Sequence, residues 1–151
     1  MTSKVEFPVI ISGLIFLTIS CKTYYIPVDS FKQQFVSMDS SRFKEVTTSG
    51  PMGEKVKYRT FAIDYIKCVD KKGNAVELRN SPSLEIRFTD TQNKKTIFYF
   101  DLIKVDTAYV SGVQSRFISA IKRKIPLNSI KKIEIQDGKK NYSYVNQKGT
   151  N

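Results

Sequence analysis

The sequence contains no histidine and only two cysteines, Cys21 and Cys68. Histidine is the usual general base at neutral pH and the commonest metal ligand. Its absence excludes Ser-His-Asp and Cys-His nucleophilic chemistry, and two cysteines are too few for a thiolate zinc site. No CxxC, P-loop, GxGxxG or GxSxG pattern occurs anywhere, and there is no repeat of fixed period. Long apolar runs are also missing. The longest apolar run, fourteen residues before Cys21, spans residues 7–20, FPVIISGLIFLTIS, whereas a helix crossing a bilayer needs about 20 apolar residues. No metal or organic cofactor is expected.

Acidic residues are scarce as well: 14 Asp and Glu face 25 Lys and Arg, for a net charge of +11. Such a field steers phosphate-bearing or otherwise anionic partners toward the chain. It also keeps a small domain soluble, so charge alone chooses no ligand. What is plentiful is apolar and aromatic material, 40% hydrophobic residues with 10 Phe and 8 Tyr. That is enough for one well-packed domain of ordinary size.

The amino terminus reads as an address. A short polar head carrying Lys4 precedes the fourteen-residue apolar run, which stops at Cys21 and has the length of a signal-peptide core. The segment LTISC, residues 17–21, resembles the lipobox of bacterial lipoproteins, with Ser20 as the small residue before the cut and Cys21 as the acylated one. The resemblance implies a leader over residues 1–20, cleavage before Cys21, and diacylglycerol attached to the Cys21 sulfur. Two or three acyl chains, at about 0.8 kcal/mol per buried CH₂, hold a protein stably on a membrane. Lys22 and Thr23 follow the anchor. Among Gram-negative lipoproteins an Asp directly after the cysteine is a familiar inner-membrane retention signal, so the resemblance points to the periplasmic face of the outer membrane. The alternative is an ordinary secretory leader cut after Ser20, which would leave Cys21 and Cys68 free to pair in an oxidising compartment.

Beyond the leader, residues 21–28 read as a tether. Residues 29–54 read as a short helix and a linker. In DSFKQQFVSM the residues Phe31, Phe35 and Met38 fall at i, i+4 and i+7, one stripe of a helix that Asp29 or Ser30 could cap. The Ser, Thr, Gly and Pro of residues 39–54 suggest a connection without regular structure. From residue 55 to 146 β-branched and aromatic residues alternate with turn signals, predicting six or seven antiparallel strands. Residues 55–69 form one bent strand or two; IFYF, apolar on both faces, predicts a central strand; a further strand lies near residues 118–125. Asp137-Gly138 predicts a hairpin returning through Tyr142 and Tyr144. Residues 147–151 are a polar tail. The expected fold is mainly β (α+β): a small antiparallel sheet or a partly closed barrel or roll, with one short N-terminal helix.

The densest basic stretch is RFISAIKRK, carrying Arg116, Lys122, Arg123 and Lys124, with Lys131 and Lys132 close behind. If the strands of this half are hairpin partners, these six form one patch for lipid phosphates or an anionic polymer. The bland reading is a solvated lysine-rich face guarding an edge strand. Cys68, within an apolar strand, reads as a small buried thiol. Asp101 and Asp106 are expected on opposite faces of a strand and so unable to act as a carboxylate pair. Together these features predict a non-enzymatic, membrane-anchored envelope module. It would bind an envelope protein or an anionic polymer or lipid, with nucleic acid not expected. The alternatives are an envelope-glycan enzyme working with Asp and Glu alone, and a purely structural component of an envelope complex.

Overall fold

A computed structural model describes residues 22–145 apart from Ser37, Asp39 and Ser119. The leader, Cys21 and the polar tail lie outside the described residues. The fold is mainly β, with one short helix near the amino terminus and three antiparallel sheets, none of them closed into a barrel. The strands are β1 (Thr23–Tyr25), β2 (Phe43–Ser49), β3 (Lys55–Phe61), β4 (Tyr65–Val69), β5 (Ala75–Arg79), β6 (Leu84–Asp90), β7 (Lys95–Tyr99), β8 (Lys104–Val105), β9 (Tyr109–Val113), β10 (Lys122–Pro126), β11 (Ile130–Asp137) and β12 (Ser143–Tyr144). The helix, α1, spans Val28–Phe35. One sheet has six strands in the order β5-β4-β1-β11-β6-β7; two three-stranded sheets run β10-β9-β8 and β12-β2-β3.

Three hairpins share one turn design. In β2–β3, β4–β5 and β6–β7 a three-residue loop is closed by paired backbone bonds, as in Gly50 N–H to the Glu54 carbonyl and Gly53 N–H to the Gly50 carbonyl. The third loop residue takes a left-handed conformation: Gly53 at φ +79°, Gly73 at +85° and Asn93 at +64°. Glycine and asparagine are the residues that adopt it at least cost. Asp70 and Asp90 reinforce two of these turns by accepting backbone N–H groups from Lys72 and Asn74, and from Gln92 and Lys94.

The core lies where α1 crosses the sheets. Phe31 and Phe35 are fully buried; Phe31 packs edge-on to Phe88 of β6 at 5.4 Å, while Phe35 meets Phe61 of β3 at 5.5 Å and Phe100 at 5.6 Å. One aromatic cluster therefore bridges two sheets, and Val110 of β9 joins the same core from the third. Gly112 of β9 faces Phe98 so closely that a Cβ there would lie 2.8 Å from the ring. Glycine at this position lets β9 approach β7.

Several expectations from the sequence are corrected. The tether contains β1, which pairs with both β11 and β4; three residues are too few for a pattern, and its order comes from two long neighbours. The linker contains β2, whose polar sequence suits a strand half-exposed along most of its length and paired on both sides. Residues 55–69 divide into β3 and β4. The IFYF strand, β7, is an edge strand, with Ile97 partly exposed while Phe98 is buried. Pro27 occupies the helix N-cap, and neither Asp29 nor Ser30 makes a capping bond there. The strand expected near residues 118–125 starts at Lys122. Ten strands, two of them only two residues long, follow residue 54. The Asp137-Gly138 hairpin does not form: Asp137 accepts the Ser83 hydroxyl at 2.6 Å and the Lys139 N–H at 2.8 Å. The chain then crosses to pair β12 with β2, Tyr144 opposite Thr48. The sheets stay open because their faces are covered by α1 and by one another, so no strand needs to close a barrel.

Candidate functional site

Hairpin β9–β10 supplies an exposed cationic element. Its register sets Lys122 opposite Val113 and Lys124 opposite Ser111, and Ser111 in turn faces Lys104 of β8. Directly opposed residues share a face. Lys104, Lys122 and Lys124 therefore share the outer face, while Val110 and Ile125 turn into the core. Lys124 holds its ammonium 3.9 Å above the Tyr109 ring. Asp106 is the nearby acid; it closes the β8–β9 turn by accepting the Ala108 and Tyr109 N–H groups, which hold its carboxyl below the ordinary range.

The hairpin tip joins Val113 to Lys122 and is braced by Ser115, whose hydroxyl accepts the Phe117 and Ile118 N–H groups at 3.2 Å. Three large apolar side chains stand in solvent here: Phe117 is 64% exposed, Ile118 55% and Ile121 41%. Scattered apolar residues on a surface need no explanation, but three on one tip above a basic stem constitute a feature.

Of the six basic residues singled out in the sequence, Lys122, Arg123 and Lys124 are exposed together on β10. Arg123 donates to Gln114 at 2.8 Å. Lys131 and Lys132 belong to β11, whose partners are β1 and β6, so they are not hairpin neighbours of β10 as the sequence suggested. Lys131 contacts Asn93, and Lys132 pairs with Glu134 at 2.9 Å beneath the Tyr25 ring. Arg116 leaves the surface altogether: its side chain is only 7% exposed and lies 2.5 Å from the fully buried Asp101.

Arg116 and Asp101 form the centre of a buried polar network. Asp101 sits in a 3-10 turn, Phe100–Leu102, and not on a strand face. Its carboxylate accepts Arg116 Nη2, the Tyr58 hydroxyl and, at 3.4 Å, the Tyr144 hydroxyl. Arg116 also donates to the Pro82 carbonyl at 2.5 Å. Its guanidinium lies 4.4 Å from the Tyr99 ring centroid and 4.9 Å from that of Tyr142. Burial pushes the Asp101 carboxyl up, against the opposing pull of Arg116 and the hydroxyls. Tyr58 and Tyr144 are pushed up by burial and then by the Asp101 charge, so both phenols stay protonated. The crossing of the chain to β12 places Tyr144 here, which explains why the misread hairpin concealed the site.

Beside this network opens a cavity of about 200 Å³. The β2–β3 hairpin contributes Glu54 and Val56 to its wall; Leu102, Val113 and Phe117 line it opposite, with Arg116 and Tyr142. Three atoms of these residues, Glu54 Oε1, Arg116 Nε and the Tyr142 hydroxyl, are buried without a hydrogen-bond partner among the described residues. Each such group costs about 1–3 kcal/mol.

Cys68 is a buried free thiol that donates to the Val76 carbonyl at 3.4 Å, and burial pushes its pKa up. Among the described residues no group of three or more Cys, Asp or Glu could hold a metal ion, and no helix is long and apolar enough to cross a membrane. No family model matches the chain, nor does any curated protein or solved structure.

Proposed function

We propose that this chain is a lipid-anchored, non-enzymatic module of the bacterial envelope that rests on anionic lipid through its β9–β10 hairpin. Cys21 carries the anchor, and the domain lies on the periplasmic face of the outer membrane. The observation that carries the reading is the hairpin tip: Phe117, Ile118 and Ile121 exposed directly beyond Lys122, Arg123 and Lys124. Apolar side chains enter the headgroup boundary while the basic stem meets phosphate, the arrangement that holds peripheral proteins at an interface. Each Lys or Arg close to an anionic surface contributes about 1 kcal/mol, an attraction screened by salt.

The test uses the soluble chain from Lys22 onward and vesicles of phosphatidylglycerol mixed with phosphatidylcholine. Binding is expected at low salt, weakening as salt rises. Replacing Lys104, Lys122 and Lys124, which share the outer face, together by Gln is expected to lower the partition coefficient by about a hundredfold, because three such contributions are lost. Equal binding to vesicles of phosphatidylcholine alone, or an unchanged coefficient in the triple variant, contradicts the reading.

A further inference from the structure

From the cavity between the β2–β3 hairpin and the β9–β10 tip we infer a second site, which takes a small ligand with an apolar body and a protonated amine, Glu54 being its counter-charge. This inference shares Val113 and Phe117 with the β9–β10 hairpin of the membrane reading, but its counter-charge, Glu54, lies on neither the tip nor the basic stem, so the Glu54 variant tests it apart from lipid binding.

The polarity of the ligand follows from the charges around the cavity. Arg116 lines the wall, but its charge is balanced by Asp101 at 2.5 Å. Glu54 forms no ion pair among the described residues. One carboxylate oxygen, Oε2, accepts the Met52 N–H at 2.9 Å, and the other, Oε1, is shielded from solvent with no partner. The wall thus carries one unbalanced negative charge within a chain of net charge +11. A carboxylate is repelled there and an ammonium attracted. An ammonium group has three N–H donors and no acceptor. Glu54 Oε1 and the Tyr142 hydroxyl oxygen are two unpartnered acceptors in the wall, both covered from solvent, so an ammonium receives the carboxylate by a small swing of the flexible Glu54 side chain away from Gly50.

The rest of the ligand is set by the lining. Val56, Leu102, Val113 and Phe117 present hydrocarbon, and sites of this kind combine apolar walls with a few placed polar groups. A volume of about 200 Å³ limits the body to a short chain or a single ring.

Gly50 indicates how the carboxylate is seated. A Cβ at this position would lie 1.8 Å from Oε1 and 2.3 Å from the carboxyl carbon. Its backbone is not left-handed, so what glycine supplies is room for the Glu54 carboxylate. A methyl group there displaces the end of a flexible side chain and leaves the hairpin backbone unstrained, moving the charge without deleting it.

Calorimetric titration of the purified full chain with n-hexylamine, n-hexanol and hexanoate tests the assignment. Hexylamine is expected to bind at least about tenfold more tightly than either of the others, the worth of one hydrogen bond to a charged group. Glu54→Gln is expected to remove that preference, hexylamine then binding no more tightly than hexanol, and Gly50→Ala to weaken hexylamine similarly with an unaltered circular dichroism spectrum. Hexanol or hexanoate binding as tightly as hexylamine overturns the assignment. So does failure of all three probes to bind, or retention of the preference in a folded Glu54→Gln chain. The comparison of probes on the unmodified chain decides the matter even if a variant does not fold.

Discussion

Replacing Arg116 by Met is expected to lower the unfolding free energy by about 3–5 kcal/mol at neutral pH, because it strands the Asp101 carboxylate in the core without its counter-charge. Methionine fills much of the same space beside Tyr99 and Tyr142, so the loss reports charge more than volume. Its pH dependence is distinctive. Burial already holds the Asp101 carboxyl above its ordinary value, with Arg116 pulling the other way; without Arg116 it rises further. Between the unfolded and folded values the folded variant then binds more protons than the unfolded chain, so its stability falls as pH rises. The deficit relative to the unmodified chain should therefore be smallest in acid, where Asp101 is protonated in both proteins, and should grow as pH rises through and above the carboxylate range. Urea unfolding at a series of pH values checks this, and a deficit independent of pH contradicts it.

The second large effect belongs to Phe35. It fastens α1 to the β2–β3 sheet and to the turn after β7: its ring is fully buried and meets Phe31 at 4.9 Å, Phe61 at 5.5 Å and Phe100 at 5.6 Å. Truncation to Ala leaves a cavity that three other rings border. Such Phe→Ala changes cost about 3–5 kcal/mol, a large share of the 5–15 kcal/mol typical of a whole domain. The expected result is a marked fall in the urea midpoint without change in slope. A loss below about 1 kcal/mol would mean that α1 is not part of the cooperative core.

The Phe31 and Phe35 part of the stripe was legible in the sequence because helical periodicity is set by burial on one face; Met38, read as its third member, lies beyond the helix, which ends at Phe35. Likewise Leu84, Ile86 and Phe88 declare a strand with one buried face. The turns were also legible, DKKGN at residues 70–74 in place and TQNKK at residues 91–95 one residue late, since the turn closes on Asp90, which accepts the Gln92 and Lys94 N–H groups. β1 and β2 were not: one is too short and the other too polar to show a pattern, and both owe their order to neighbours distant in sequence. IFYF looked central because apolar residues on both sides of a strand usually mean cover on both sides, yet at this edge Ile97 stays partly in solvent. The Asp137-Gly138 pair showed that a turn was possible; the Ser83 and Tyr144 contacts that send the chain elsewhere are long-range.

The candidate site was legible only in part. Lys122, Arg123 and Lys124 were visible as a basic run, and Lys104 escaped notice because only the β8–β9 register brings it to them. Arg116 stands in the same run and belongs to different physics. Asp101 offered the one local clue, a lone acid directly after an apolar stretch, since a buried carboxylate requires a partner. The identity of that partner depends on tertiary contacts that spacing does not encode. Glu54 gave no signal beyond its place after a glycine-rich turn.

The proposed function requires that the domain be held at a membrane, and the mass of the intact protein extracted from membranes tests that most directly. The expected mass is that of a chain beginning at Cys21, heavier than its amino acids by the diacylglycerol on sulfur and by any acyl group on the new amine. A chain retaining residues 1–20, or one beginning at or near Cys21 with no added acyl mass, would contradict it.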